Sequence, residues 1–193
     1  MKNQLLAVLA LLTLAGCASS PPTRFFALDP VAPGSAAVAG DTSAPVKVDA
    51  VHIPPALDRD SMVRGESDTQ LQISSQDRWA GDLGEMIRRV LTQDLAGRLP
   101  SGMVIAPESP PPSGASGLVI DILTFQPQAG EVVLDADWTL LAGTQAHPVV
   151  RRSVHLTLSA TPSAQGEAQA MSALLGQLAD DIAARIGSAH AER

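Results

Sequence analysis

The chain has 193 residues, 13 basic and 20 acidic side chains, a formal charge of −7, no tyrosine, three phenylalanines and two tryptophans. That balance lacks both the basic footprint and the aromatic stacking platform of a nucleic-acid binder. A single cysteine excludes an intrachain disulfide and a thiolate metal site, while the length suffices for one domain with a real core.

At the amino end, Lys2 supplies a short positive region, and Leu5 to Leu14 are apolar apart from Thr13. This stretch is too short to cross a hydrocarbon core of roughly 30 Å, so residues 1–16 read as a cleavable export signal. Leu14-Ala15-Gly16-Cys17 follows and resembles the bacterial lipobox. Small Ala15 and Gly16 let a peptidase approach the backbone, and the Cys17 thiol is the nucleophile that receives a diacylglyceryl group. By that resemblance, cleavage frees the amino end of Cys17 for acylation as well. One acyl chain, at about 0.8 kcal/mol per buried CH₂, holds a protein only marginally, and several make a durable anchor. Ala18 stands where an Asp would typically retain such a lipoprotein in the inner membrane. The expected address is therefore the outer membrane, with the domain facing the periplasm. Residues 17–23 form a lipidated tether that reaches only about 20 Å when extended, which keeps the domain near the bilayer. No later segment is long and apolar enough to span a membrane.

Arg24 to Leu28 reads as a short strand closed by Asp29-Pro30, and residues 31–44 as a flexible Ala, Gly, Ser and Pro-rich loop. Val46 to Ile53 is a strand stopped by Pro54-Pro55, because proline cannot donate to a ladder. A turn at Leu57-Asp58-Arg59 leads to short strands at Ser61 to Gly65 and Gln70 to Ser74. Ser74 to Leu99 reads as a helix capped by Ser74 or Asp77, with Trp79, Leu83, Met86, Ile87, Val90, Leu91 and Leu95 on one stripe. Gly81, Gly84 and Gly97 within it suggest close packing on a sheet. Met103 to Ala106 is a short strand and Leu118 to Phe125 a central one. A hairpin follows, with Glu131 to Leu141 alternating between apolar and acidic faces and Val149 to Ser159 as its return strand. Glu167 to Ile186 is a second amphipathic helix, and residues 189–193 read as a frayed tail. The expected architecture is a single α+β domain over 24–188, a mainly antiparallel sheet packed on one face by two amphipathic helices.

The polar face of the hairpin is the best candidate for chemistry. A turn near Gly143 to His147 sets Asp135 opposite His155 and Asp137 opposite Ser153, which invites a hydrolase reading. Side chains on an open sheet face stand in water, however, without a nucleophile elbow or an oxyanion hole, so solvated cross-strand pairing explains them better. His52, His147, His155 and His190 show no ligand spacing, and neither a metal nor a cofactor is expected. The pair Asp180-Asp181 reads as the wet face of its helix, and Trp79 and Trp138 as core anchors.

The stretches RFFALDP at 24–30 and VHIPPALDRDSMVRGESDTQLQISSQDRWAGDLGEMIRRVLTQDLAGRLP at 51–100 carry a family likeness. With the lipobox, the Ile-Pro-Pro-x-Leu-Asp-Arg turn and Arg78-Trp79, they resemble the ABC-type transport auxiliary lipoproteins of the PqiC/YmbA-like group. The likeness covers roughly half of the chain beyond Cys17. It implies a non-catalytic periplasmic domain anchored in the outer membrane, working with an MCE-domain protein and an associated ABC permease and ATPase that move lipid between membranes. It also implies assembly as a homo-oligomeric ring. The turn residues Pro54, Pro55, Leu57, Asp58 and Arg59, rigid at the prolines and mixing apolar with charged groups, are the candidate partner-binding edge. The alternatives from other classes are a periplasmic lipid-binding chaperone or acceptor, which would need a sizeable apolar cavity, and an activator of a cell-wall enzyme.

Overall fold

The longest alternating stretches of the chain form the centre of the structure. The computed structural model describes residues 21–34, 44–67, 69–143 and 147–189. The export signal and Cys17 lie outside the described residues, as do 190–193 of the expected tail. Among the described residues, eight strands and two helices follow in the order β1 (Arg24–Phe26), β2 (Val46–His52), β3 (Ser61–Ser67), β4 (Gln70–Trp79), α1 (Leu83–Arg98), β5 (Val104–Ile105), β6 (Ser116–Gln128), β7 (Glu131–Ala142), β8 (His147–Ser159) and α2 (Ala164–Ala189).

All eight strands join one sheet with β6 at its centre. One edge of β6 pairs antiparallel with β7 along its whole length, and β7 pairs antiparallel with β8. Its other edge takes β2 along its first half and β3 at its far end, with β5 outside β2 and β4 and β1 outside β3. The α+β expectation holds, and the sheet is mixed. The long hairpins are antiparallel, whereas β1 pairs parallel with β4, and β2 with both β5 and β6. Parallel pairing needs a long crossover, and the excursion β3–β4–α1–β5 between β2 and β6 supplies one.

Both helices cover one face. Val132, Leu134, Ala136, Trp138 and Leu140 of β7 point into it beside Leu118, Ile120 and Ile122 of β6. Against them pack Ile87, Val90, Leu91 and Leu95 of α1 and Met171, Leu174, Leu178 and Ile182 of α2, all buried in one cluster. The hairpin register is the one that alternation dictates, Asp135 opposite His155 and Asp137 opposite Ser153.

The first helix begins later than its pattern suggests. Residues 74–79 belong to β4, and Trp79 reaches the core from a strand, its N–H bonded to the Asp60 carbonyl at 2.7 Å. Ser74 does act on the backbone ahead of it, its Oγ accepting from Asp77 N–H at 2.9 Å, but inside an irregular stretch of strand where the β3–β4 register shifts. A serine that can cap a helix can equally hold such a bend. The working N-cap is Asp82, whose Oδ1 accepts from Glu85 N–H at 2.8 Å. Of the glycines expected to ease sheet packing, Gly84 lies close to Val51 and Ile53, Gly97 faces Pro33, and Gly81 meets nothing.

Candidate docking surface

The turn after β2 is built from its own backbone. Leu57 and Asp58 N–H groups donate to the Pro54 carbonyl at 2.9 and 3.2 Å, and Arg59 Nε donates to the Ala56 carbonyl at 2.8 Å. Leu57 is 5% exposed and packs in the core. It is therefore an internal anchor of the turn, not a surface contact, which corrects its place in the sequence-derived set. Pro55, Asp58 and Arg59 remain exposed, and Pro54 is half-buried. Asp58 stands at a cleft of about 300 Å³ shared with His52, Ile53, Asp82 and Glu85, so the turn sits beside the start of α1.

On another side of that helix start lies a larger cleft of about 650 Å³. Ala27, Ala80, Met86, Ala106 and Pro107 contribute its apolar walls, with Arg88 and Arg89 at the same site. Arg88 is held by Glu85 at 2.5 Å and Glu108 at 3.2 Å.

The hairpin's polar groups stand on the face away from the helices. His155 Nδ1 meets Asp135 Oδ1 at 2.5 Å, with His155 two-thirds exposed, and His52 Nδ1 meets Asp121 Oδ1 at 2.7 Å. Ser153 is opposite Asp137, one row from the His155 pair, so serine, histidine and carboxylate do not line up as a relay.

Other charges tie elements together, and sequence reasoning passed over them. Arg64 of β3 bonds Glu167 of α2 through Nε at 2.7 Å and lies 3.6 Å from Asp77 of β4, which also receives Arg24 Nε at 2.8 Å. The hydrogen bond from Glu167 raises the Arg64 pKa above its ordinary value. Arg98 of α1, buried, donates through Nε to Asp180 at 2.6 Å and through Nη1 to the carbonyls of Val31 and Asp94 at 3.1 and 3.0 Å. Asp94 in turn accepts from Val31 N–H at 2.7 Å, and burial pushes its carboxyl above the ordinary range. Asp181 accepts the Trp138 indole N–H at 3.1 Å. Asp180 and Asp181 thus have inward partners, which corrects their reading as a plain wet face. The one sequence signal for the Arg98 cluster was an acid and a base four residues apart, Asp94 and Arg98, on the helix whose apolar stripe enters the core. The Arg98 set holds the segment after β1 at Val31 against α1 and ties that helix to α2.

The family model for the ABC-type transport auxiliary lipoprotein component matches residues 26–183, which is almost the whole of this folded unit. The chain is also 28% identical over 137 residues to the intermembrane transport lipoprotein PqiC of Escherichia coli K12, covering 70% of this chain and 72% of that one. The Shigella flexneri protein of the same name gives the same figures. Among solved structures, an uncharacterized protein superposes with a TM-score of 0.67 at 24% identity, over 87% of this chain and 98% of its own. A Xanthomonas campestris protein superposes with a TM-score of 0.71 at 13% identity, over 88% and 98%. These two likenesses establish the fold.

Proposed function

The chain belongs to the ABC-type transport auxiliary lipoprotein family, and from that premise we propose that it is a non-catalytic docking subunit of an intermembrane lipid-transport system. In this reading lipid on Cys17 anchors it in the outer membrane, and its domain faces the periplasm. There it holds an MCE-domain partner whose system includes an ABC permease and ATPase, and further copies of the chain complete a ring. The observation that carries the reading is the family match running from the first strand into the second helix. The geometry is in keeping with it. The buried charges are engaged in joining elements, and the exposed Asp58 and Arg59 stand on a turn fixed from beneath by Leu57.

A lipid acceptor is the second reading, favoured by the 650 Å³ cleft beside α1, a volume within the range of small-molecule sites. That cleft lies at the helix start and not between helices and sheet.

The anchor has a direct test. Full-length chain expressed in its host should enter the outer-membrane fraction of a density gradient, with Cys17 as an acylated amino-terminal residue by mass spectrometry. Cys17→Ser should leave the chain unacylated and absent from that fraction. Wild-type chain with a free Cys17 thiol would overturn the anchor.

A further inference from the structure

The sheet face without helices is not uniform. Four of the large apolar side chains most open to solvent, Phe25 at 66%, Leu71 at 43%, Ile73 at 50% and Leu123 at 58%, belong to β1, β4 and β6. Phe26 packs against the core and pairs with buried Trp79, so Phe25, one residue back, points to the other face beside Arg78. Ile73 lies opposite Val63 and Leu71 opposite Gly65. A Cβ on Gly65 would meet the side chains of Gln126 and Gln128, whose neighbours in β6 and β7 place them on this same face. Leu123 stands at the bulge of β6, between core-facing Ile122 and Thr124. At Leu123 the character reverses, with Asp135 across from neighbouring Thr124 and Asp121 across from Asp137.

We propose that the apolar end of this face, at Phe25, Leu71, Ile73 and Leu123, rests on the lipid surface to which the chain is tethered. The acidic end then turns to water. The inference rests on the Cys17 anchor, and three observations select a lipid surface as the occupant. Phe25 is eight residues from Cys17, a reach of roughly 28 Å at full extension, so the patch begins where the tether ends. Phe25 pairs with half-exposed Arg78 on the same face, the sign that anionic headgroups attract. The same headgroups repel Asp121, Asp135 and Asp137, which fixes which end of the face meets the membrane. Contiguous exposed apolar groups rimmed by polar ones mark an interaction site. The contact is with the headgroup and upper acyl region, not an insertion.

The test uses the full-length lipidated chain. Acylation consumes its one native thiol, so a cysteine at an exposed position takes a single label. Phe25→Cys and Ile73→Cys, each carrying an environment-sensitive NBD fluorophore, are reconstituted into phosphatidylethanolamine–phosphatidylglycerol vesicles. Val149→Cys on β8, an exposed apolar position on the opposite edge strand, is the control. Emission from positions 25 and 73 should move to the blue and fall about twofold when the acyl chains are brominated, as expected for groups at the headgroup–acyl boundary. Position 149 should stay water-like. Water-like emission at 25 and 73 from chain that floats with the vesicles overturns the proposal and leaves the anchor standing. Blue emission indifferent to bromine assigns the face to a second copy and also overturns it. Chain that does not float with the vesicles removes the anchor, and the proposal with it.

Discussion

Trp138→Ala is expected to destabilise the domain by about 3–5 kcal/mol, the usual loss for truncating a large core side chain. Trp138 is fully buried at the centre of β7, opposite Ile120 of β6 and Arg152 of β8, and its indole N–H reaches Asp181 on α2. It therefore joins sheet to helix through both packing and a hydrogen bond. Total stability is only about 5–15 kcal/mol for a typical domain, so this one change can bring the chain near unfolding. Urea titration followed by circular dichroism gives the loss. Trp138→Phe, which keeps much of the volume and leaves Asp181 without its donor, should cost less. A loss below about 1 kcal/mol for the alanine variant would mean that α2 does not seat on β7 as described.

Arg98→Met should cost a similar amount, about 3–5 kcal/mol near neutral pH, because it removes one partner of a buried charge set. Asp94 is fully enclosed, its Oδ2 has no hydrogen-bond partner among the described residues, and Arg98 is the cation beside it at 3.6 Å. The sign of the pH dependence follows from that burial. An ionised carboxylate is disfavoured inside the protein, so its folded pKa lies above the ordinary 3.8. The burial penalty is absent below 3.8 and grows as pH rises through the folded value. Without Arg98 that penalty is larger, and the variant should lose least at acidic pH and most at neutral pH. Adding Asp94→Leu should restore more than half of the loss, since an apolar pair can replace a buried ionic one. Equal losses at acidic and neutral pH, with no recovery in the double variant, would mean that the two side chains are not coupled.

The parts of this structure that could be read from the sequence are those where a local pattern has one physical outcome. Glu131 to Ser159 alternates so regularly that a one-residue slip would bury Asp135 and Asp137, and the observed register follows. The second helix, with its stripe from Met171 to Ile186, could be read for the same reason. The start of the first helix could not. Ser74 and Asp77 offer capping chemistry, but here Ser74 holds a bend in β4, and tertiary pairing of Trp79 with Phe26 keeps the segment extended. The turn at 54–59 was half legible. Its prolines and charges marked a turn, yet nothing local distinguishes a leucine that anchors a turn from one that meets a partner, and Leu57 proved to be the former. The Arg98–Asp180 and Arg64–Glu167 pairs join residues 82 and 103 positions apart, and only the packed helices bring them together.

The structure also suggests why a docking subunit would hold its amino-terminal segment so firmly. Asp29 N–H donates to Ser172 on α2, Val31 is held from both sides by Asp94 and Arg98, and β1 is bonded along β4 with Arg24 on Asp77. A load applied at Cys17 would pass through β1 into this clamp, which joins it to both helices and the sheet.

The most direct test of the docking role is isolation of the tagged, full-length, lipidated chain from detergent-solubilised envelopes, with its companions identified by mass spectrometry. The account predicts recovery of an MCE-domain protein with the wild-type chain. It also predicts clear loss of that protein from Asp58→Lys/Arg59→Glu, a double variant that spares buried Leu57 and so leaves the circular dichroism and urea midpoint unchanged. Recovery of cell-wall enzymes alone, or of bound lipid with no protein companion, would contradict it.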